Sequence, residues 1–175
     1  MPYVKHIPIH TGTHLKNCLK YIDDLDKASE VTAINCLEDI DASVSLFNLY
    51  DDINERITND EKKPRIAHHY LQSFEAGTVS TDEAHRIGVE LTKTIAPGYM
   101  CHVATHIDKD HIHNHIIANS VGLNGKKFNS CRHELEDIRT YSDVICREYG
   151  LSVIEPKYKT KYRSYKEWLE SKNKT

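Results

Sequence analysis

Histidine is concentrated in one short part of this chain. The 175 residues include 12 histidines, and five of these fall between positions 102 and 115. A neutral imidazole is a good ligand for divalent cations. Several buried imidazoles without partners would be costly to desolvate, and charging them together would cost more. The clustering therefore points to a metal site rather than to a solvated, histidine-rich strand.

The clustered histidines lie on two predicted strands. Residues 99–106 and 112–120 have strand-like composition and flank an acidic turn at 108–110. Alternate residues of a strand point to the same face of a sheet. The histidines of each strand are therefore expected to face one way.

The position of the turn sets the pairing of the two strands. With the turn centred on 108–109, we expect His106 to lie opposite His111, and His102 opposite His115. All five imidazoles, including that of His113, then share one face, with diagonal neighbours ~7–8 Å apart. Geometry alone leaves open which three of them bind a metal.

The rest of the chain predicts the elements that position this hairpin. Strands are predicted at 4–9, 31–36 and 65–74, and helices at 15–22, 43–57, 80–95 and 130–149. Pro8 marks the first strand as an edge strand, and Ser80 to Glu83 forms a capping box. Helices interleaved with strands predict an α+β fold, in which helices flank a central, mainly antiparallel sheet in a single domain.

Bulk composition sets broad limits on function. Apolar content of 39% and charged content of 28% are typical of a globular protein, and no stretch approaches the ~20 apolar residues of a membrane span. Five cysteines without a C-x-x-C pair suit the reduced thiols of a cytoplasm. The net charge of −3 gives no support to tight, non-specific nucleic-acid binding.

One stretch of the hairpin resembles a known motif. The string His106-Ile-Asp-Lys-Asp-His-Ile-His-Asn-His115-Ile-Ile-Ala-Asn is similar to the third motif of the relaxase (mobilization nuclease) family, within the HUH endonuclease superfamily. In that family the metal ligands are the first histidine and the two histidines of the H-x-H pair. The resemblance thus implies three ligands, which are His106, His113 and His115.

The resemblance also implies the kind of metal and its surroundings. Mg²⁺ or Mn²⁺ is expected in the cell, although three imidazoles suit Zn²⁺, Ni²⁺ or Co²⁺ at least as well. Polar neighbours would orient the ligand imidazoles from outside or contact a phosphate. The candidates for these roles are His69, Asp108, Asp110 and His111.

A tyrosine near the N-terminus is the candidate nucleophile. Tyr21 lies at the border of the apolar stripe of the first predicted helix, and the segment from Leu19 to Lys27 is similar to the family's first motif. A free phenol has a pKa of ~10 and is a weak nucleophile, so it needs a nearby cation or base. Tyr3 and Tyr50 are alternatives, and His10 or His14 would serve if the nucleophile were a histidine.

Residues 68–74 are similar to the middle motif of the family. Gln72 and Ser73 are predicted to donate hydrogen bonds to a DNA phosphate. Position 78 is Thr, where many family members have Glu, which puts an acidic role there in doubt. Basic residues elsewhere are predicted to contact DNA, namely Lys126, Lys127, Lys157, Lys159, Lys161 and Arg163.

Together these motifs imply a DNA relaxase with a 5′-phosphotyrosyl intermediate. The resemblance implies that it nicks single-stranded DNA at a plasmid or transposon transfer origin during conjugative transfer. Expected partners are single-stranded or hairpin DNA, accessory mobilization proteins and a coupling protein. We expect a bacterial cytoplasmic protein that travels with the DNA into the recipient. The nuclease domain is predicted at 1–155, and 156–175 is expected to be a basic C-terminal segment that begins a truncated extension.

Two other functions compete with this interpretation. The alternation of His111, His113 and His115 is close to the histidine triad of nucleotide hydrolases, which act without metal. Against this, Asn114 is polar where that family prefers an apolar residue. A non-catalytic origin-binding module is the other alternative, and covalent capture of DNA would exclude it.

Overall fold

The structure, a computed structural model, describes residues 2–58, 65–128 and 134–153. Helices and strands alternate along these residues. In chain order they are β1 (Tyr3–Ile9), α1 (Gly12–Ile22), β2 (Ala28–Ile34), α2 (Ile40–Thr58), β3 (Ala67–Ser73), α3 (Thr81–Ile95), β4 (Cys101–His106), β5 (His113–Asn119) and α4 (Glu134–Glu148). The predicted boundary at 155 falls outside these ranges and stays a prediction.

The five strands form one antiparallel sheet in the order β1-β3-β5-β4-β2. The predicted hairpin is β4–β5 and lies in the interior of the sheet, which confirms the predicted α+β class. β1 is an edge strand, as its proline indicated. Pro8 lacks an N–H, and an edge position is where a strand tolerates that loss.

Helices cover both faces of the sheet. On one face α1 and α2 pack against β4 and β5, burying Leu15, Leu19, Ile22, Phe47, Ala104 and Ile117. On the other face α3 and α4 cover a second core, which includes Tyr70, Ile87, Leu91, Val103, Ile116 and Ile145. Every residue of β4 and β5 is buried, so each polar side chain on these strands needs a partner.

The first helix brings the N-terminal motif to the hairpin. β1 and β2 are opposite edges of the sheet, so the connection through α1 crosses one sheet face. Its N-cap is Thr11, whose hydroxyl accepts a hydrogen bond from the backbone N–H of His14 (3.2 Å). The helix ends at Ile22, beside the end of β4, where its carbonyl meets His106.

The predicted boundaries of β2 differ from the structure at both ends, and α1 and α2 each begin three residues earlier than predicted, at Gly12 and Ile40. β2 begins at Ala28 rather than 31, because residues 28–34 pair along β4 with a bulge near their start. It ends before Asn35, whose φ of 57° is left-handed and breaks the strand. The capping box at Ser80 and Glu83 is confirmed. Within the described ranges, no helix combines the length and the apolar composition needed to span a bilayer.

Candidate active site

The β4–β5 hairpin has a longer turn than the sequence predicted. His106 lies opposite His113, and His102 lies opposite Ile117, so the predicted pairing of His106 with His111 is wrong. The turn occupies 107–112. The shift is an even number of residues, and side chains alternate with a period of two. The histidines that lie on the strands therefore still share one face, as predicted.

Three of the histidines converge on one point. One ring nitrogen from each of His106, His113 and His115 lies within 4.8 Å of the other two. Their ring centroids are 4.5–5.5 Å apart, and all three side chains are buried. Among the described residues this group has the composition and spacing of a metal site. It is also the ligand set implied by the family resemblance.

The outward-facing nitrogens of the three rings are occupied by hydrogen bonds. Nε2 of His106 donates to the carbonyl of Ile22 (2.8 Å), and Nδ1 of His113 donates to the carbonyl of His111 (3.3 Å). Nδ1 of His115 is 2.8 Å from Nε2 of His69, and His115 is the donor in the tautomer that leaves its Nε2 lone pair free for a metal. These contacts fix the tautomers and orientations of the three rings.

The remaining nitrogens of the same rings fit a divalent cation. Nδ1 of His106 and Nε2 of both His113 and His115 are buried and have no hydrogen-bond partner among the described residues. Buried polar atoms are normally paired. Three imidazole lone pairs that converge in this way are the donor set of a metal such as Mn²⁺, Zn²⁺ or Ni²⁺.

Burial keeps the imidazoles of His113 and His115 in the neutral form that binds metal. Desolvation lowers the pKa of His115 to about 2, and neighbouring histidines add to the effect. Desolvation also lowers the pKa of His113 and that of His69, to about 4. Because a metal binds the neutral ring, no proton has to be displaced from these side chains near neutral pH.

His102 belongs to a different set of contacts on the same sheet face. Its Nε2 lies 3.0 Å from the hydroxyl of Ser43, and its Nδ1 lies 4.0 Å from the carboxylate of Asp23. Burial raises the pKa of Asp23 to about 6. Sequence patterns do not reveal this pair, because it joins the end of α1 to β4.

Tyr21 lies against the three histidines. Its ring centroid is 5.5 Å from that of His106 and 5.5 Å from that of His115, and the side chain is 39% exposed. It is therefore in contact with both the site and the solvent. Tyr3, one of the alternatives, lies on the edge strand against Arg139, with Cζ of the arginine 5.0 Å from its ring.

Two further residues next to Tyr21 were not singled out from the sequence. Nζ of Lys27 lies 4.6 Å from the centroid of the Tyr21 ring and donates to Oδ2 of Asp24 (2.6 Å). This hydrogen bond raises the pKa of Lys27, and the nearby negative charges add to the effect. Both residues lie in the segment that resembles the first motif. That resemblance is the sequence feature that could have identified them.

Most of the residues predicted to support the candidate ligands lie next to them. His69 contacts His115, and Asp108 Oδ1 lies 3.7 Å from Nε2 of His113. His111 lies in the turn, with its ring 5.5 Å from that of His113. Asp110 is exposed in the same turn. Three of these four residues therefore adjoin the ligands directly.

Of the two middle-motif residues, only Ser73 is near the site. Ser73 pairs with His113 across β3 and β5 and is partly exposed. Gln72 points to the opposite face, is fully buried, and donates to Ser142 (2.7 Å). Its predicted phosphate contact is therefore contradicted by its position. Which face of the sheet the Gln72 side chain occupies depends on the register of β3 with β5, and composition does not reveal that register.

Asn114 lies behind the candidate metal ligands and completes a buried network. Its amide donates to Gln72 Oε1 (2.9 Å) and to the carbonyl of Ala84 (2.6 Å). Its side-chain oxygen accepts from Thr105 (2.7 Å). The network joins α3 to the two ligand strands, which explains a polar residue between His113 and His115.

Two of the predicted basic residues, Lys126 and Lys127, lie away from the site. Lys126 and Lys127 are in the turn that follows β5, where Val121 bridges to Lys127. That turn is at the end of β5 opposite His113. The other four lie outside the described residues, namely Lys157, Lys159, Lys161 and Arg163.

The fold and the site define a class of protein, the relaxases. The family model of the MobA/VirD2-like relaxase nuclease domain matches residues 21–151. The chain belongs to this family, which confirms the resemblance seen in the motifs.

Similarity to individual relatives agrees with this assignment. The chain is 37% identical over 150 residues to the protein rlx of Staphylococcus aureus, covering 85% of this chain and 43% of that protein. It is 26% identical over 231 residues to the group II intron-interrupted relaxase LtrB of Lactococcus lactis, covering 96% of this chain and 40% of LtrB. The chain thus spans less than half the length of these relatives.

Solved structures share the fold. The MobM relaxase domain, bound to plasmid pMV158 oriT DNA in a Mn-bound crystal structure, superposes with a TM-score of 0.60 at 12% identity. The match covers 97% of this chain and 98% of MobM. A structure from work on vancomycin resistance transfer in Staphylococcus aureus gives a TM-score of 0.61 at 10% identity. It covers 91% of this chain and all of that one.

Proposed function

We propose that this domain nicks single-stranded DNA at a transfer origin by transesterification onto Tyr21. One observation carries the proposal. Three buried imidazoles direct unpartnered nitrogens at a common point, and the Tyr21 ring lies 5.5 Å from two of those imidazoles. A nucleophile beside a site for a Lewis acid is the arrangement that phosphodiester transfer needs.

His106, His113 and His115 would hold the cation. A bound divalent metal supplies Lewis-acid stabilisation of the negative charge that builds on the phosphate. We propose Mn²⁺ or Mg²⁺ in the cell, and the Mn-bound state of MobM supports the first. The imidazole donors also suit Zn²⁺, Ni²⁺ and Co²⁺.

The tyrosine is the group that changes covalently. The phenolic oxygen of Tyr21 forms a bond to the scissile phosphorus, and the bond from phosphorus to the 3′ oxygen breaks. The phenol loses its proton to solvent, and the departing oxygen gains one to become a free 3′-hydroxyl. The resulting 5′-phosphotyrosyl ester conserves the energy of the broken bond, so the reverse reaction can reseal DNA.

The position of His111 argues against a histidine-triad hydrolase. That mechanism needs three alternating histidines on one strand, whereas His111 lies in the turn before β5. Only His113 and His115 continue the alternation, and the residue between them joins a polar network. Metal dependence separates the two functions, since a chelator should abolish nicking and spare a triad hydrolase.

The natural substrate and partners belong to this proposal as well. We propose single-stranded or hairpin DNA of a transfer origin as substrate, since the MobM relaxase domain was solved with oriT DNA. Accessory mobilization proteins and a coupling protein remain predicted partners. A bacterial cytoplasm is the predicted location.

Covalent capture tests the proposal. The protein is incubated with Mn²⁺ and with 3′-labelled single-stranded oligonucleotides that tile the DNA upstream of its gene. The label should then migrate with the protein in a denaturing gel. We expect the Tyr21→Phe variant and a chelator each to abolish the adduct, and Tyr3→Phe, at another exposed tyrosine, to retain it. An adduct that persists in Tyr21→Phe would refute the assignment of the nucleophile.

A further inference from the structure

A lysine ammonium lies above the ring of the proposed nucleophile. Nζ of Lys27 is 4.6 Å from the centroid of the Tyr21 ring. The same ring lies 5.5 Å from the centroids of His106 and His115. Tyr21 is therefore in contact with a fixed cation as well as with the candidate metal ligands.

Lys27 is fixed in this position by its own partners. Its ammonium donates to Asp24 Oδ2 (2.6 Å), and its backbone N–H donates to the Asp24 carbonyl (2.9 Å). Its backbone carbonyl accepts from Ile107 N–H (3.0 Å), at the end of β4. The segment after α1 is thus folded back and tied to the same strand that carries His106.

The lysine contact adds to the restraint that two imidazoles place on the partly exposed Tyr21 ring. Tyr21 lies in the last turn of α1 with 39% of its surface exposed, and the torsion that rotates a tyrosine ring has broad minima. A cation over the face of an aromatic ring is attracted by the electrons of that face. The charge of Asp24 neutralises the ammonium, which limits its repulsion of a cation at the histidines.

We propose that Lys27 is a positioning residue for nicking, whose ammonium, held by Asp24, fixes the Tyr21 ring beside the three histidines. The inference rests on the proposed function, since it assumes that Tyr21 attacks the phosphate. Small displacements of a reacting group can cost about 100-fold in rate. Loss of the ammonium should therefore act on the chemical step more than on DNA binding.

The test compares Lys27→Met, Lys27→Arg and wild type in single-turnover adduct formation with saturating oligonucleotide and Mn²⁺. Lys27→Met should slow the reaction by about 10–100-fold, and Lys27→Arg should recover to within about fivefold of wild type, because it restores a cation over the ring. Oligonucleotide affinity, by fluorescence anisotropy, and Mn²⁺ affinity, by calorimetry, should stay within about threefold. Lys20→Met is the matched control, because it removes an exposed lysine from the helical turn that carries Tyr21. It should react like wild type.

A second measurement does not depend on activity. The aromatic NMR signals of Tyr21 should be shifted by the neighbouring imidazole rings in the wild type. In Lys27→Met these signals should move toward the values of a free tyrosine. This comparison keeps its meaning even if no adduct forms, in which case the proposed function fails but the contact is still measured.

Three outcomes would overturn the inference. Weaker oligonucleotide binding in Lys27→Met, with an unchanged rate at saturation, would make Lys27 a phosphate contact. Joint loss of melting temperature, Mn²⁺ affinity and rate, without rescue by arginine, would make its role structural. Unchanged Tyr21 signals in Lys27→Met would show that the ammonium does not hold the ring.

Discussion

Replacement of Gly88 by alanine should disturb the support of the candidate metal ligands on β5. A Cβ atom at Gly88 would lie 2.5 Å from Nδ2 and 2.9 Å from Cγ of Asn114, distances that real contacts do not adopt. Asn114 is fully buried between the two ligands of β5. The added methyl group must therefore push α3 away from the sheet or displace the Asn114 side chain.

The magnitude follows from three effects. Overpacking a close-packed interior costs about 1–3 kcal/mol. Displacement of Asn114 also weakens hydrogen bonds to Gln72 and Ala84, each worth about 0.5–1.5 kcal/mol net. Alanine offsets about 1 kcal/mol, because it is a better helix former than glycine. We expect Gly88→Ala to lower the free energy of unfolding by about 1–5 kcal/mol.

Urea denaturation of four proteins tests this argument. They are wild type, Gly88→Ala, Asn114→Ala and the double variant. Truncating Asn114 makes room for the methyl group, so the double variant should be more stable than additivity predicts by about 1–2 kcal/mol. Lys93→Ala, at an exposed position of the same helix, should change stability by less than about 0.5 kcal/mol. Wild-type stability in Gly88→Ala, or strict additivity in the double variant, would refute the reasoning.

Two further predictions concern metal and pH. Mn²⁺ at about 100 times its dissociation constant should raise the free energy of unfolding by about 2.7 kcal/mol, and His115→Ala should remove this gain in a calorimetric scan; a gain of equal size in the variant would place the metal elsewhere. Burial lowers the pKa of His68 to about 3, so between pH 6.5 and 3 the unfolded chain holds a proton there that the folded chain lacks. The free energy of unfolding should therefore decrease as the pH is lowered from 6.5 to 3, by at most about 1.4 kcal/mol per pH unit for this group. In urea titrations at several pH values, His68→Gln should reduce the dependence of the unfolding free energy on pH by the equivalent of about one proton. An unchanged dependence would contradict the assigned effect of burial on His68.

The sequence predicted the histidine face but not the pairing of its strands. Alternation along a strand fixes which side chains share a face, and this held for His113 and His115. Register depends on the length of the turn, and the composition of 107–112 did not specify where pairing resumes. His111 was therefore placed on β5, although it lies in the turn.

Sequence patterns do not predict contacts between segments that are distant along the chain. The choice of three candidate ligands rests on family resemblance, and the contacts that support it, of His69 with His115 and of Ile22 with His106, appear only in the fold. The predicted phosphate contact of Gln72 is wrong because a strand pattern does not state which side of the strand meets which helix. The position of Lys27 depends on a local fold-back that has no periodic signature.

The hydrogen bond from His106 to the carbonyl of Ile22 couples two events that would otherwise be independent. This bond keeps the proton on Nε2 and leaves Nδ1 available to a metal. Ile22 follows Tyr21 directly, so the position of this carbonyl depends on the position of the helix end that carries the proposed nucleophile. Thermodynamic linkage is reciprocal. Any ligand that holds the end of α1 in place should tighten metal binding, and metal binding should by the same factor favour the docked helix.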